Sequence, residues 1–466
     1  MNSSSKSNMN ISTRSFLTAI AVIFVLMVGA YILTLVIPGG SYQRVPDANG
    51  HYVIDVAGGF SYVEGGLPLW KWILSPLLVL TASGNGTLIA VIAFLLVIGG
   101  VFSALDHCGL MRRMLDKMVA RFGAVRYRLM AVIAFFFMAM GAAIGSFEEC
   151  VPLVPIVVAL SLNLGWDAMT GVAMSLLAVG CGFASGVCNP FTVGVAQQLA
   201  SLPMFSGAWL RAVSFVLIYT LLLLFIRSHA KKVERPIHQS VTHTVGADPK
   251  ADRALLLFCL ILGVGIAAIL CSGFIPALQD YTMIIVAITF LAAGIVAALV
   301  CGMGGKALAK TFFAGVSGIF PAVIMILLAS SINYPLEEAK VLDTLLHGAV
   351  GTAETLPKWA VILVIYLIVL VMNFFIPSGS AKAFMLMPLI VPMAQIFGIN
   401  AQLCVVAFAF GDGFSNVLYP TNPALLISLG LADVSYSDWF RWSWKFHAMN
   451  LLLTSGLLLF GLSVGY

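Results

Sequence analysis

The chain has 466 residues, of which 61% are hydrophobic and only 9% charged, with a formal net charge of +5. A soluble domain carries about 25% charged residues, so lipid must serve as much of this chain's solvent, and the soluble globular and disordered classes are excluded. The eight Cys form no C-x-x-C pair and read as small buried hydrophobes.

The apolar runs are continuous and about 20 residues long, as a helix crossing about 30 Å of hydrocarbon requires. A strand of a membrane barrel would instead alternate over about ten residues. The first run, 16–37, is too long for a signal-peptide core and reads as the first transmembrane helix. Further spans are expected at 86–105, 170–200, 210–227, 254–271, 283–300, 313–332, 402–431 and 446–464. Segment 69–81 is either interfacial or a half-span. Two spans are broken by Asn-Pro, 170–200 at Asn189-Pro190 and 402–431 at Asn422-Pro423.

Two stretches, 129–163 and 359–397, are too long for one span. Each runs apolar, passes a polar tip, and runs apolar again through two prolines. The tips are Gly145-Ser146-Phe147-Glu148-Glu149 and Pro377-Ser378-Gly379-Ser380-Ala381-Lys382. Both stretches read as re-entrant helical hairpins, because irregular backbone at membrane depth is tolerated where it lines a protein cavity. Nine spans and two returning hairpins place 18 of the 24 basic residues on one side and 5 on the other, with Lys382 in a tip. By the positive-inside rule the N-terminus is then cytoplasmic and the C-terminus lies on the outer side.

An offset of 233 relates the two halves: Pro155 to Pro388, Gly165 to Gly398, Gly180 to Gly413, Asn189 to Asn422 and Pro190 to Pro423. Each half runs hairpin, short loop, broken helix, and the hairpins start from opposite sides. The expected fold is therefore an all-α polytopic membrane protein with an inverted-topology repeat, two re-entrant hairpins and two Asn-Pro-broken transmembrane helices. Such repeats are the architecture of secondary transporters, with the substrate near the midplane. The expected divisions are an N-terminal helix and outer-side loop (1–85), a first repeat (86–227), a cytoplasmic linker (228–253), scaffold helices (254–300) and a second repeat (313–464).

Four charges fall at membrane depth in this reading: Glu148, Glu149, Lys382 and Asp412. A charge at a helix centre costs about 2.5–3.5 kcal/mol on insertion scales, so each needs a partner or a function. Under the offset Glu149 corresponds to Lys382. The two either form a buried salt bridge locking the tips or face a cavity and hold a substrate. In the second case the carboxylates would hold an ammonium, and Lys382 with the Ser378-Gly379-Ser380 backbone a carboxylate. Asn189, Thr192, Thr421 and Asn422 are polar candidates at the breaks, where Asn is also an ordinary helix cap. Candidates for a coupling H⁺ or Na⁺ are Glu148, Asp412, Asn416 and Ser146; Asp412 could instead cap a loosened turn. No metalloprotease, nucleophile-elbow or phosphate-loop motif is present, so the expectation is a non-enzyme with no cofactor and no nucleic-acid partner.

The stretch Pro377 to Ala383, with Met387-Pro388 and Phe410-Gly411-Asp412-Gly413-Phe414, resembles the YfcC branch of the C4-dicarboxylate anaerobic carriers (the DcuC-like group). Phe147-Glu148-Glu149 and Asn189-Pro190-Phe191-Thr192-Val193-Gly194 are similar to the matching half. The resemblance covers the chain from about residue 86 onward. It departs from the family's Ser-Pro-Thr-Ser-Gly at Tyr419-Pro420-Thr421-Asn422-Pro423. It implies an ion-transporter fold in a bacterial inner (plasma) membrane, with a dimerising scaffold and a mobile, elevator-like transport domain. Members are described as dicarboxylate carriers or, in this branch, basic amino-acid antiporters. The sequence thus favours an amino-acid transporter, plausibly for a basic substrate, with a dicarboxylate carrier and, more remotely, a channel as alternatives.

Overall fold

The computed structural model describes residues 13–46, 52–55, 59–81, 86–110, 113–114, 117, 125–145, 147–203, 205–236, 248–272, 282–353 and 356–466. Helix α1 (Thr13–Val36) leads into two nested antiparallel ribbons. In these, β1 (Gly40–Tyr42) pairs with β4 (Phe60–Tyr62), and β2 (Arg44–Pro46) pairs with β3 (Tyr52–Ile54). Two short helices, α2 (Leu69–Ile73) and α3 (Ser75–Leu78), occupy the 69–81 segment, and Trp72 Nε1 donates to Met27 O at 3.1 Å. This segment packs beside α1.

Next come α4 (Gly86–His107), α5 (Arg126–Ile144), a 3₁₀ turn (Glu148–Leu153), α6 (Val154–Asn163) and α7 (Ala168–Ser185). A π-helical turn at Pro190–Gly194 runs into α8 (Val195–Leu199). Helices α9 (Ala208–Val233), α10 (Pro249–Ser272), α11 (Thr282–Val300), α12 (Gly305–Ser330), α13 (Tyr334–Glu338) and α14 (Val341–Ala353) follow. The chain ends in α15 (Lys358–Phe375), α16 (Gly379–Ile396), α17 (Ala401–Ser415), α18 (Pro423–Leu431) and α19 (Tyr436–Ser463).

Among the described residues, seven helical segments are long and apolar enough to cross a membrane: α5, α7, α9, the α12–α13 run, α15, α16 and α19. The arms of the second tip, α15 and α16, have 18 residues each, whereas α6 beside the first tip has 10. By length alone, then, the second pair of arms could each span, and only α6 is short.

Local chemistry explains the interruptions. Gly145 closes α5 in the left-handed region (φ +75°), where a Cβ would be strained. Asn422 starts α18 as its N-cap, its side chain accepting from Ala424 N at 2.9 Å, with Pro423 as the first helical residue. Asp167 caps α7 in the same way, accepting from Thr170 N at 2.9 Å.

Helices α7 and α17 form the centre. Every residue of α17 is buried, as is 89% of α7. They cross through small residues, the means by which helix backbones approach closely where water cannot drive association. A methyl added to Gly413 would lie 2.2 Å from Ala184 Cα, and one on Gly180 would lie 2.6 Å from a Val417 methyl. The offset of 233 exchanges these contacts: Gly180 maps to Gly413 and Ala184 to Val417.

A second apolar cluster lies outside this centre. Phe94, Ile98 and Phe102 of α4 pack with Phe258 of α10 and Phe290 of α11. Helix α4, grouped with the first repeat in the sequence reading, thus joins α10 and α11, and Gly99 and Gly315 let α12 sit against it. The outer ribbons, read from sequence only as a loop, are clamped to α14. Arg44 Nη2 meets Asp343 Oδ1 at 2.8 Å, Tyr42 N donates to Asp343 Oδ2 at 3.0 Å, and Phe60 stacks on His347 at 4.1 Å.

Candidate substrate and ion-coupling site

The four irregular segments meet at the α7–α17 crossing. The first tip packs on the first break: a methyl on Gly145 would lie 2.2 Å from Asn189 Oδ1, and Cys188 N donates to Ala142 O at 3.0 Å. The second tip reaches the same break, since a methyl on Gly379 would lie 2.5 Å from Thr192 Cγ2 and 2.6 Å from Asp412 Oδ2.

Lys382 stands in the first turn of α16, fully buried. Its ammonium meets Asp412 Oδ1 at 2.6 Å, donates to Ile376 O at 3.1 Å, and bonds the Asn373 side-chain oxygen. An ammonium has three donors, so all are engaged. Asn373, at the end of α15, donates to Ser415 Oγ at 2.6 Å, to Asn416 Oδ1 at 3.0 Å and to Asp412 O at 3.1 Å. Asn422 Nδ2 donates to Asn416 Oδ1 at 3.1 Å. One network therefore ties the second tip to the second break. Asp412 Oδ2, Thr192 Oγ1 and Thr421 Oγ1 are buried with no hydrogen-bond partner among the described residues.

This arrangement corrects the pairing expected for Lys382. Its carboxylate is Asp412, on the helix packed against its own hairpin, and a buried ammonium so engaged has no donor left for a substrate carboxylate. Asn189 and Asn422 take the capping role, Asn189 Oδ1 accepting from Thr192 N at 3.3 Å. Ser378 is exposed, and Gly379 and Ser380 are half-buried. Ser378 makes no side-chain cap bond to α16, so the first amides of that helix lack a capping acceptor from it. Glu148 is half-buried, lies within electrostatic range of Asp412, and makes no ion pair among the described residues. Ser146 and the Glu149 side chain lie outside the described residues.

Two features escaped the sequence reading. Asn373 is the hub of the network, and its only signal is a lone amide at the end of an apolar run. Arg211, expected among the outer-side charges, is fully buried and donates to Ser206 O at 3.0 Å, Phe205 O at 3.3 Å and Val187 O at 3.4 Å. With Asp343, Lys382 and Asp412 it is one of the buried charges among the described residues, and it braces the backbone just before the first Asn-Pro.

Comparison with known proteins identifies the family. Residues 16–463 match the DcuC family, described as C4-dicarboxylate anaerobic carriers. The Escherichia coli (strain K12) protein named "Putative basic amino acid antiporter YfcC" is 29% identical over 410 residues, covering 83% of this chain and 80% of that protein. An uncharacterized Haemophilus influenzae protein is 25% identical over 401 residues, covering 82% of this chain and 77% of its own. Among solved structures, the Alcanivorax borkumensis YdaH transporter aligns over 97% of this chain and 99% of its own, at 18% identity and a TM-score of 0.47. The chain belongs to the DcuC family of C4-dicarboxylate anaerobic carriers, as a multi-pass membrane transporter of its YfcC-like branch.

Proposed function

We propose that the protein is a secondary active transporter of an amino acid, with a basic one favoured, working by exchange or by coupling to H⁺ or Na⁺. The observation that carries this reading is the charge balance at the centre. Lys382 is neutralised by Asp412 and closed off, while Glu148 is partly exposed and makes no ion pair among the described residues. A net acidic centre favours a cation. The substrate's ammonium groups would face Glu148, with Glu149 beside it. Its carboxylate would sit on the uncapped N-terminus of α16, where Ser378, Gly379 and Ser380 present amides and hydroxyls. Asn189, Thr192, Thr421 and Asn422 would border the substrate at the breaks.

Asp412 Oδ2, with the nearby Thr192 hydroxyl, offers oxygen ligands or a proton site for coupling. Asn416 and Ser146 complete the candidate coupling set. The reciprocal Gly180–Val417 and Gly413–Ala184 contacts support a pseudo-twofold axis through α7 and α17, and with it an inverted repeat. The short α6 supports a re-entrant first hairpin, and the close packing of the second tip on the first break supports a paired second one. Elevator-like motion, a homodimeric scaffold and an inner-membrane setting with a cytoplasmic N-terminus and an outer C-terminus complete the proposal by resemblance.

The uncapped α16 N-terminus also suits a second reading, a dicarboxylate carrier, in line with the family's description. Counterflow in proteoliposomes separates the two. Arginine or ornithine should exchange against itself while succinate does not, and uptake of succinate alone would overturn the basic amino-acid reading. Saturable exchange excludes a channel.

A further inference from the structure

A cavity of about 340 Å³ lies between the end of α9 and the start of α19, away from the transport centre, and Lys232, Arg441 and Lys445 rim it. Phe225 and Trp442 form its floor at a ring separation of 4.7 Å, with His229 edge-on to Trp442 at 5.1 Å. Its one lining acid, Asp438, stands 4.0 Å from Arg441 and accepts from Ser435 Oγ at 2.6 Å. Neither Lys232 nor Lys445 has an ion-pair partner among the described residues. His229 is held by Asp167 Oδ2 at 2.9 Å. The cavity thus carries an excess of positive charge over an aromatic floor.

Its position says what kind of anion fits. Along the same helix faces away from the cavity, Leu224 on α9 and Met449 and Leu452 on α19 are exposed apolar side chains, 63%, 41% and 75% accessible. The start of α19 also carries the exposed Phe440 and Trp444 beside Trp442, the aromatic signature of a membrane–water interface. A ligand here meets cations at one end and exposed apolar side chains at the other. We propose that this cavity binds the phosphate of an anionic phospholipid headgroup, with its acyl chain along Leu224 and Leu452. Basic pockets between transmembrane helices on the positively charged side hold such headgroups by the same chemistry. Inorganic phosphate would share the cations but not the apolar side chains.

The test uses the full-length protein in neutral detergent. Native mass spectrometry counts retained phosphatidylglycerol or phosphatidylcholine, and thermal unfolding is followed with each lipid and with inorganic phosphate. Wild type should retain phosphatidylglycerol over phosphatidylcholine and unfold at a higher temperature with it. In the exposed-surface triple variant K232Q/R441Q/K445Q, phosphatidylglycerol retention should fall at least about fivefold, with the lipid-free unfolding temperature unchanged. The single change Leu452→Asp should weaken lipid retention without altering any response to inorganic phosphate. Unchanged retention in the triple variant, or equal retention of phosphatidylcholine, overturns the site. Protection by inorganic phosphate equal to that by phosphatidylglycerol overturns the lipid assignment in favour of a soluble anion.

Discussion

The two tip-and-break units are related by one sequence offset yet differ in charge. The second is tied together: Lys382, Asp412, Asn373, Asn416 and Asn422 share one buried network, with Asp412 Oδ2 left without a hydrogen-bond partner among the described residues. The first has the partly exposed Glu148 and lacks the second's ion pair, because Lys382 maps onto Glu149 and Asp412 onto Val179, and Arg211 reaches its backbone from α9 instead. The two units thus differ in how their charges are partnered. In the proposed function the second unit fixes geometry and Glu148 of the first is offered to the ligand.

The sharpest break of that comparison is Asp412→Ala, which strands a buried ammonium and should destabilise by about 3–5 kcal/mol, read by thermal unfolding in detergent. Pairing it with Lys382→Met should restore most of the stability while transport stays lost. A double variant that transports normally would remove Asp412 from coupling.

In the other half, Glu148→Gln should leave unfolding within about 0.5 kcal/mol of wild type. The loss of a charged hydrogen bond, about 1.5–3 kcal/mol, should weaken arginine counterflow by roughly 10–150-fold in half-saturation. Equal arginine transport by this variant would make the first half as structural as the second.

Gly379→Ala probes the contact between the halves. Its methyl would meet Thr192 Cγ2 at 2.5 Å and Asp412 Oδ2 at 2.6 Å, a crowding that costs about 1–3 kcal/mol. Adding Thr192→Ser removes one of the two clashes and should recover part of the loss.

The smallest effect concerns the foot of α7. Burial opposes charge on Asp167, but hydrogen bonds from His229 and Thr170 outweigh it and hold the carboxyl below its ordinary range. The stabilisation is therefore fully present above the unfolded value, about 3.9, and is lost as pH falls through the lower folded value. Amide exchange at Thr170 should accelerate in that acidic window, by an amount worth under about 1 kcal/mol. Asp167→Asn should abolish the pH dependence.

Much of this was legible in the sequence. Asn-Pro and Gly placed the interruptions because backbone chemistry is local: proline lacks the donor and glycine tolerates positive φ. Lys382 and Asp412 stood out because charge in an apolar run is costly. Their partnership did not stand out, since the offset pointed Lys382 toward Glu149. Arg211 looked like an outer-side charge because burial depends on the loop folded over it, here Phe205 and Ser206. The ribbon at 40–62 went unread because strands of three residues carry no periodicity, and Asp343, some 300 positions away in sequence, fixes them through Tyr42.

The sequence by itself determined a mostly helical, multi-pass membrane protein and its family, because hydrophobicity and backbone permissiveness are properties of single residues and short runs. Only the tertiary structure decided which charges cancel. Ion pairing depends on helix rotation and on approaches of a few ångströms between distant segments, and the glycines at the α7–α17 crossing set those approaches. At the centre, the shortage of charge in the composition thus resolves into one neutralised pair, one buried arginine and one partly exposed acid.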